Sequence, residues 1–336
     1  MTRMTARDFD QGLLELYDFY AHGLMTKREF LDRAGKYAVG GLTALALLDM
    51  LSPDYALADQ VSFTDPDIAP EYITYPSPNG HGDVRGYLVK PTAGEGPFPA
   101  VLVVHENRGL NPYIEDVARR VAKAGFMALA PDGLTSVGGY PGNDDKGREL
   151  QQTVDPEKLM NDFFAGAEHL LTRADSTGKV GCVGFCYGGG VCNALAVAYP
   201  ELGASVPFYG RQAAAADVPK IAAPLLLHYG ALDERGQPAA GLRSGAQGTR
   251  QELHRAFHEG ANQAGFHNDT TPRYDAAAAA ELPGDLHHRL LRRTWFRAAA
   301  AGATRARAYL DRMPRGTAVK APASKPCPEP SGFGGV

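Results

Sequence analysis

From residue 71 onward, short apolar runs alternate with segments whose apolar residues recur every three to four positions, the spacings of buried strands and of amphipathic helices. Residues 71–75 and 85–89 flank Asn79-Gly80, a turn dipeptide, and predict a hairpin. Residues 100–105 form a continuous apolar run ending at His105, as expected of a strand covered on both faces. Residues 112–125 follow with Ile114, Val117 and Val121 at helical spacing and a glycine at the end. The pattern then predicts a strand over 126–130, a helix over 159–171, a strand over 180–185, a helix over 189–198, and strands over 204–209 and 225–229. Such alternation predicts the α/β class, a mostly parallel, doubly wound sheet with helices on both faces. Past Asp233 the pattern degrades. Residues 236–248 hold four glycines and Pro238 where a crossover helix is expected, each interior glycine costing about 1 kcal/mol and the proline about 3. Pro283-Gly284 then break the helix begun by 276–282, so the last strand and helix read as degraded.

The N-terminal stretch has a different character. Thr26-Lys27-Arg28-Glu29-Phe30-Leu31 resembles a twin-arginine export signal with lysine in place of the first arginine; an apolar run over 37–48 and the small-x-small pattern Ala56-Leu57-Ala58 follow. Cleavage after Ala58 and a periplasmic location are the expectation. The competing reading is a helical N-terminal extension packed on the domain of a cytoplasmic protein, favoured by Asp49 and by a long polar start containing Leu13, Leu14 and Leu16. The apolar run is well short of the roughly 20 residues that span a bilayer, so no integral membrane segment is expected. The chain thus divides into an N-terminal signal or extension (1–58), an α/β domain (59–284) and a tail (285–336).

Composition alters this picture only in the tail. At 336 residues, 44% hydrophobic and 21% charged, with a net charge of −4, the chain has the make-up of an ordinary globular protein. Residues 285–336 carry ten Lys and Arg against three Asp and Glu, a net +7 that leaves −11 on the remainder. A solvated Ala/Arg/Pro-rich tail, partly disordered, is expected and nucleic acid is not. The expected partner is a small molecule, and the expected state a monomer or weak oligomer. Four cysteines make no disulfide framework; Cys182 and Cys192 read as buried thiols and Cys327 lies alone. No metal site is expected, since no second Cys or His pair sits at ligand spacing.

Cys186 is different. It occupies the centre of Gly184-Phe185-Cys186-Tyr187-Gly188, the glycine-flanked strand-to-helix turn that presents a nucleophile, with cysteine where such elbows usually carry serine. The amide of Tyr187 then forms half of an oxyanion hole, and the other half is expected from the loop His105-Glu106-Asn107-Arg108-Gly109-Leu110 at the carboxyl end of an earlier strand. Asp233, 47 residues after Cys186 and just past the 225–229 strand, stands where a triad acid belongs. Simpler roles compete: Glu106 as a helix cap or a partner of Arg108, Asp233 as a turn residue.

Together with Pro207-Phe208-Tyr209-Gly210 and Gly265-Phe266-His267-Asn268-Asp269-Thr270, these motifs resemble the dienelactone hydrolase (carboxymethylenebutenolidase) family over roughly residues 72–275. The resemblance implies an α/β-hydrolase fold and a carboxylic ester hydrolase that opens enol-lactones through a thioester, with no cofactor. It implies Cys186 as nucleophile, Asp233 as orienting acid, Glu106 as the carboxylate beside the resting thiol, and the amides of Asn107 and Tyr187 as oxyanion donors. The family's arginines that hold the lactone carboxylate have Arg108, Arg211 and Arg273 as candidates. One element of the pattern is missing. The family's histidine immediately precedes the Gly-Phe of the last motif, and that position is Ala264. His267 and His258 are the nearby substitutes. The expected function is therefore cleavage of a lactone or small ester through Cys186 with turnover impaired, the alternative being an inactive α/β-hydrolase-fold protein that binds a small ligand.

Overall fold

The computed structural model describes residues 4–230, 253–258 and 265–274. Within them, eight strands form one sheet: β1 (Ile68–Ser77), β2 (Gly82–Pro91), β3 (Phe98–Val104), β4 (Met127–Pro131), β5 (Ser176–Phe185), β6 (Ser205–Phe208), β7 (Leu225–Gly230) and β8 (Leu253–His258). Their order is β1-β2-β4-β3-β5-β6-β7-β8. β2 runs antiparallel to both β1 and β4, and every other pairing is parallel. All five residues from Ala100 to Val104 are buried, as is the whole of β4. Successive strand side chains point to opposite faces, so helices must cover both.

Those helices are α4 (Pro112–Lys123), α5 (Asp144–Thr153), α6 (Pro156–Thr172) and α7 (Tyr187–Ala198). Local sequence sets their starts. Asn111 accepts from the Ile114 amide ahead of Pro112, and Asp155 accepts from the amides of Glu157 and Lys158 ahead of Pro156. α5 escapes a periodicity reading because Gly147 is its one buried residue among ten. The helices over 112–125, 159–171 and 189–198 and the strands through 225–229 all form, with ends shifted by a few residues.

Three further helices precede the sheet: α1 (Gln11–Ala21), α2 (Lys27–Ala34) and α3 (Ala44–Leu51). They share a small core of Leu13, Leu14, Tyr17, Tyr20, Phe30, Leu47, Leu48 and Leu51. The export-like stretch forms the start of α2. Thr26 Oγ1 accepts from the Glu29 amide while Glu29 Oε2 accepts from the Thr26 amide, and Phe30 is fully buried. The apolar run over 37–48 is not one helix, since 38–43 are non-helical and α3 begins only at Ala44. Among the described residues no helix is long and apolar enough to cross a membrane.

This helical unit docks on the carboxyl-end side of the sheet through specific bonds. Arg148 donates to the Tyr20 carbonyl (2.8 Å), Tyr20 pairs with Asp145, Lys27 Nζ lies 3.1 Å from Asp145, and Asn107 Nδ2 donates to the Ala21 carbonyl (3.2 Å). The end of α1 is thereby tied to the loop that leaves β3.

Candidate active site

The chain passes from β3 to β4 on one side and returns to β5 on the other, so the sheet's topological switch point lies between β3 and β5. Open α/β sheets bind ligands at the carboxyl ends of the strands flanking such a point. The register pairs Val104 with Gly184, which brings the loop beginning at His105 beside the turn beginning at Phe185. Two segments about 80 residues apart in sequence thus meet at one edge.

At that turn Cys186 has φ 53° and ψ −110°, a left-handed conformation that costs a non-glycine residue of order 1–3 kcal/mol. The surroundings hold it there: its amide donates to the Phe208 carbonyl (3.0 Å), and its carbonyl accepts from the Gly190 amide (3.2 Å). The flanking glycines are needed for space. A Cβ on Gly184 would lie 2.2 Å from the Gly188 carbonyl oxygen, and one on Gly188 would lie 2.3 Å from that of Val104. Cys186 stands at the N-cap of α7 and makes no side-chain cap bond. The first amides of a helix lack intrahelical acceptors, so the Tyr187 N–H is available to a ligand at the thiol.

Around the thiol is a pocket lined by Ala21, His22, Glu106, Asn107, Arg108, Tyr209, Gly265 and Arg273 as well as Cys186, with a cavity volume of about 10 Å³, close to what one water occupies. Glu106, Arg108 and Arg273 are buried. Arg108 Nη1 donates to Asp144 Oδ2 (2.8 Å), and Asp144 also accepts from Tyr55 and Tyr140, so α5 anchors the guanidinium. Burial alone would lower the Arg108 pKa, but Asp144 and Glu106 outweigh it and hold the group charged. Its buried Nε has no hydrogen-bond partner among the described residues. Arg273 reaches Asp18 Oδ1 (3.4 Å) and lies over the Tyr17 ring.

The other candidates fall elsewhere. Arg211 is exposed and does not line the pocket; its backbone carbonyl accepts from Asn193. His267, expected as a substitute base, is not a lining residue. Its ring stacks on Phe185 (centroids 4.3 Å apart, 4° between planes), and Nδ1 pairs with the Tyr209 hydroxyl at 3.0 Å. That aromatic packing fixes the ring against Phe185 and the pocket-lining Tyr209. Asp233, Ala264 and the His258 side chain lie outside the described residues. Tyr209 and His22 were not expected at the site. Tyr209, at φ 37°, sits in the Pro207-Phe208-Tyr209-Gly210 motif, which was a usable signal; His22 had none.

Beneath the pocket, His105 is fully buried, with Nδ1 against the Glu106 carbonyl (2.5 Å) and Nε2 accepting from the Gly133 amide (3.0 Å). Burial holds this imidazole below its ordinary value, against the opposing pull of the Glu106 carbonyl. The folded chain keeps it neutral where the unfolded chain protonates it. Its contribution to stability is therefore complete above about pH 6.5 and is lost as pH falls below that value, by up to about 1.4 kcal/mol per unit, until the folded-state ring itself protonates. Urea unfolding between pH 5 and 7.5 is expected to show this slope in the parent and a shallower one in His105→Gln.

Residues 84–286, more than half of the chain, match the profile of the dienelactone hydrolase family. The chain belongs to the dienelactone hydrolase family. Residues 1–38 match a separate profile, YqhI-like. A hydrolase fragment of Escherichia coli K12, YghX, is 81% identical over 115 residues, covering 34% of this chain and 98% of that one. A Synechocystis protein named as a carboxymethylenebutenolidase is 30% identical over 239 residues, covering 64% of this chain and 93% of its own. The fold is shared with a dienelactone hydrolase structure from Klebsiella pneumoniae (TM-score 0.55, 23% identity, 69% of this chain and 97% of that chain). It is also shared with one from Anabaena variabilis (TM-score 0.52, 20% identity, 68% and 98%). The chain is accordingly a hydrolase of the carboxylic ester type with an α/β-hydrolase fold.

Proposed function

We propose that this dienelactone hydrolase family member cleaves a small lactone or ester through a thioester on Cys186. The observation that carries the reading is the strained Cys186 backbone at the N-terminus of α7, opening on a pocket that also holds Glu106. Strain of this kind persists where the surroundings over-determine it, and it aims the sulfur at the switch-point pocket. The sulfur attacks the carbonyl carbon, and the developing oxyanion is received by the amides of Tyr187 and Asn107. The C–O bond to the leaving group breaks, and water later releases the acid. Arg108 and Arg273 give the pocket two guanidinium groups, which favours a substrate carrying a carboxylate.

The test is direct trapping. Mixing the full chain with p-nitrophenyl acetate and quenching in acid is expected to yield a protein adduct heavier by one acetyl group, absent from Cys186→Ala. Release of p-nitrophenol at equal rates from parent and Cys186→Ala would exclude the thioester route. Release no faster than in protein-free buffer, with no adduct, would leave the alternative, a small-ligand binder without turnover.

A further inference from the structure

His22 lines the Cys186 pocket although it lies 164 positions away in sequence and outside the residues that match the hydrolase profile. It is the C-cap of α1 and follows Asp18 by one helical turn, which places both on one face. His22 Nδ1 lies 2.8 Å from the Asp18 carbonyl oxygen and 3.2 Å from its carboxylate Oδ1. Both neighbours are acceptors, so Nδ1 carries the hydrogen and the neutral ring has its lone pair on Nε2. An imidazole with Nδ1 fixed by a carboxylate and Nε2 open is the arrangement that activates a nucleophile in a triad. The bond from Asn107 Nδ2 to the Ala21 carbonyl fixes this end of α1 to the loop that supplies the oxyanion donor. Asp18 is itself tied to Arg273.

We infer that His22 is the general base of the Cys186 thiol, oriented by Asp18, so that the N-terminal helical unit completes a site whose family histidine position is Ala264. This rests on the thioester reading above. In acylation, His22 Nε2 takes the thiol proton as the S–C bond forms; the C–O bond to the leaving group breaks, and the imidazolium returns that proton to the leaving oxygen. In deacylation, Nε2 takes a proton from water as the new C–O bond forms; the S–C bond breaks, and the proton returns to sulfur. The charged and titratable groups around His22 and in the pocket are Asp18 on its own helix, Glu106 and Arg108 on the loop after β3, Cys186 at the elbow, Tyr209 after β6, and Arg273.

The experiment measures acylation of the full chain by p-nitrophenyl acetate in the pre-steady state. His22→Ala is expected to slow it by on the order of a hundredfold, with thermal unfolding unchanged and with part of the rate restored by added imidazole. His22→Gln, which fills similar space without a basic nitrogen, is expected to be as slow as His22→Ala. Asp18→Asn should give a smaller fall, because the backbone carbonyl still holds Nδ1. Parent-like acylation in either His22 variant, with Cys186→Ala inactive, overturns the inference and leaves the thioester reading standing. Acylation that survives Cys186→Ala overturns the thioester reading and this inference with it.

Discussion

Cys186→Ala is expected to bring ester hydrolysis down to the residual of about 10³–10⁴ over water that an oxyanion hole and binding supply without a nucleophile. The loss is large because on the proposed route the reaction passes through a bond to this sulfur, and no other described thiol lines the pocket. Cys182 on β5 and Cys192 on α7 are fully buried, and burial pushes the Cys192 thiol well above its ordinary value. The fold should survive the change. Alanine keeps the left-handed backbone strain that cysteine bears at φ 53°, whereas Cys186→Gly relieves it. Cys186→Gly is therefore expected to be at least as stable as Cys186→Ala in urea unfolding, despite the roughly 0.5–1 kcal/mol that glycine's backbone entropy costs. An inactive protein of parental or higher stability marks a position kept for chemistry. A Cys186→Gly variant clearly less stable than Cys186→Ala would show that the elbow is not strained.

Gly184→Ala is expected to destabilise the chain by about 3 kcal/mol and to remove activity together with stability. The added Cβ would sit 2.2 Å from the Gly188 carbonyl oxygen, 2.4 Å from its carbon and 2.9 Å from Cys192 Sγ. Two of those atoms are backbone, which cannot rotate away as a side chain does. The turn must open, and opening it moves Cys186 away from Glu106 and the Tyr187 amide. Gly190→Ala is the control from the same glycine run. Its Cβ would meet nothing closer than Arg211 Cβ at 3.5 Å, an ordinary contact, and the position lies inside α7. It should gain up to about 1 kcal/mol from helix propensity. Thermal unfolding of the two variants separates them, and a neutral Gly184→Ala would mean that the strand and helix do not approach as closely as described.

The elbow and the Glu106 loop were legible in the sequence because both depend on local geometry. A nucleophile turn needs small residues two positions to either side, and that need is written as Gly184 and Gly188. The strands were legible because a sheet covered on both faces requires unbroken apolar runs such as 100–104. α5 was not, since a helix that buries one residue in ten leaves no periodic signal; yet its Asp144 anchors Arg108. His267 was read as a base from its nearness to Ala264 in sequence. Its place was decided by stacking on Phe185 in β5 and pairing with Tyr209 just after β6, contacts distant in sequence. The export-like pattern of the N-terminal stretch was legible because its apolar run and small-residue pattern are local features; its packing was not. The capping of α2 by Thr26 and Glu29, the burial of Phe30 and the bonds from Tyr20 to Asp145 and Arg148 place it against the hydrolase domain.

By itself, then, the sequence determined the glycine-flanked turn at Cys186, the loop that faces it and the order of strands and helices, because each rests on spacing within a few residues. Only the tertiary structure decided which distant side chains share the pocket. Arg108 and Arg273 line it and Arg211 does not, and the imidazole that lines it is that of His22 from α1. Those outcomes depend on how separate elements pack, and packing is set by the summed contacts of the whole chain rather than by any local pattern.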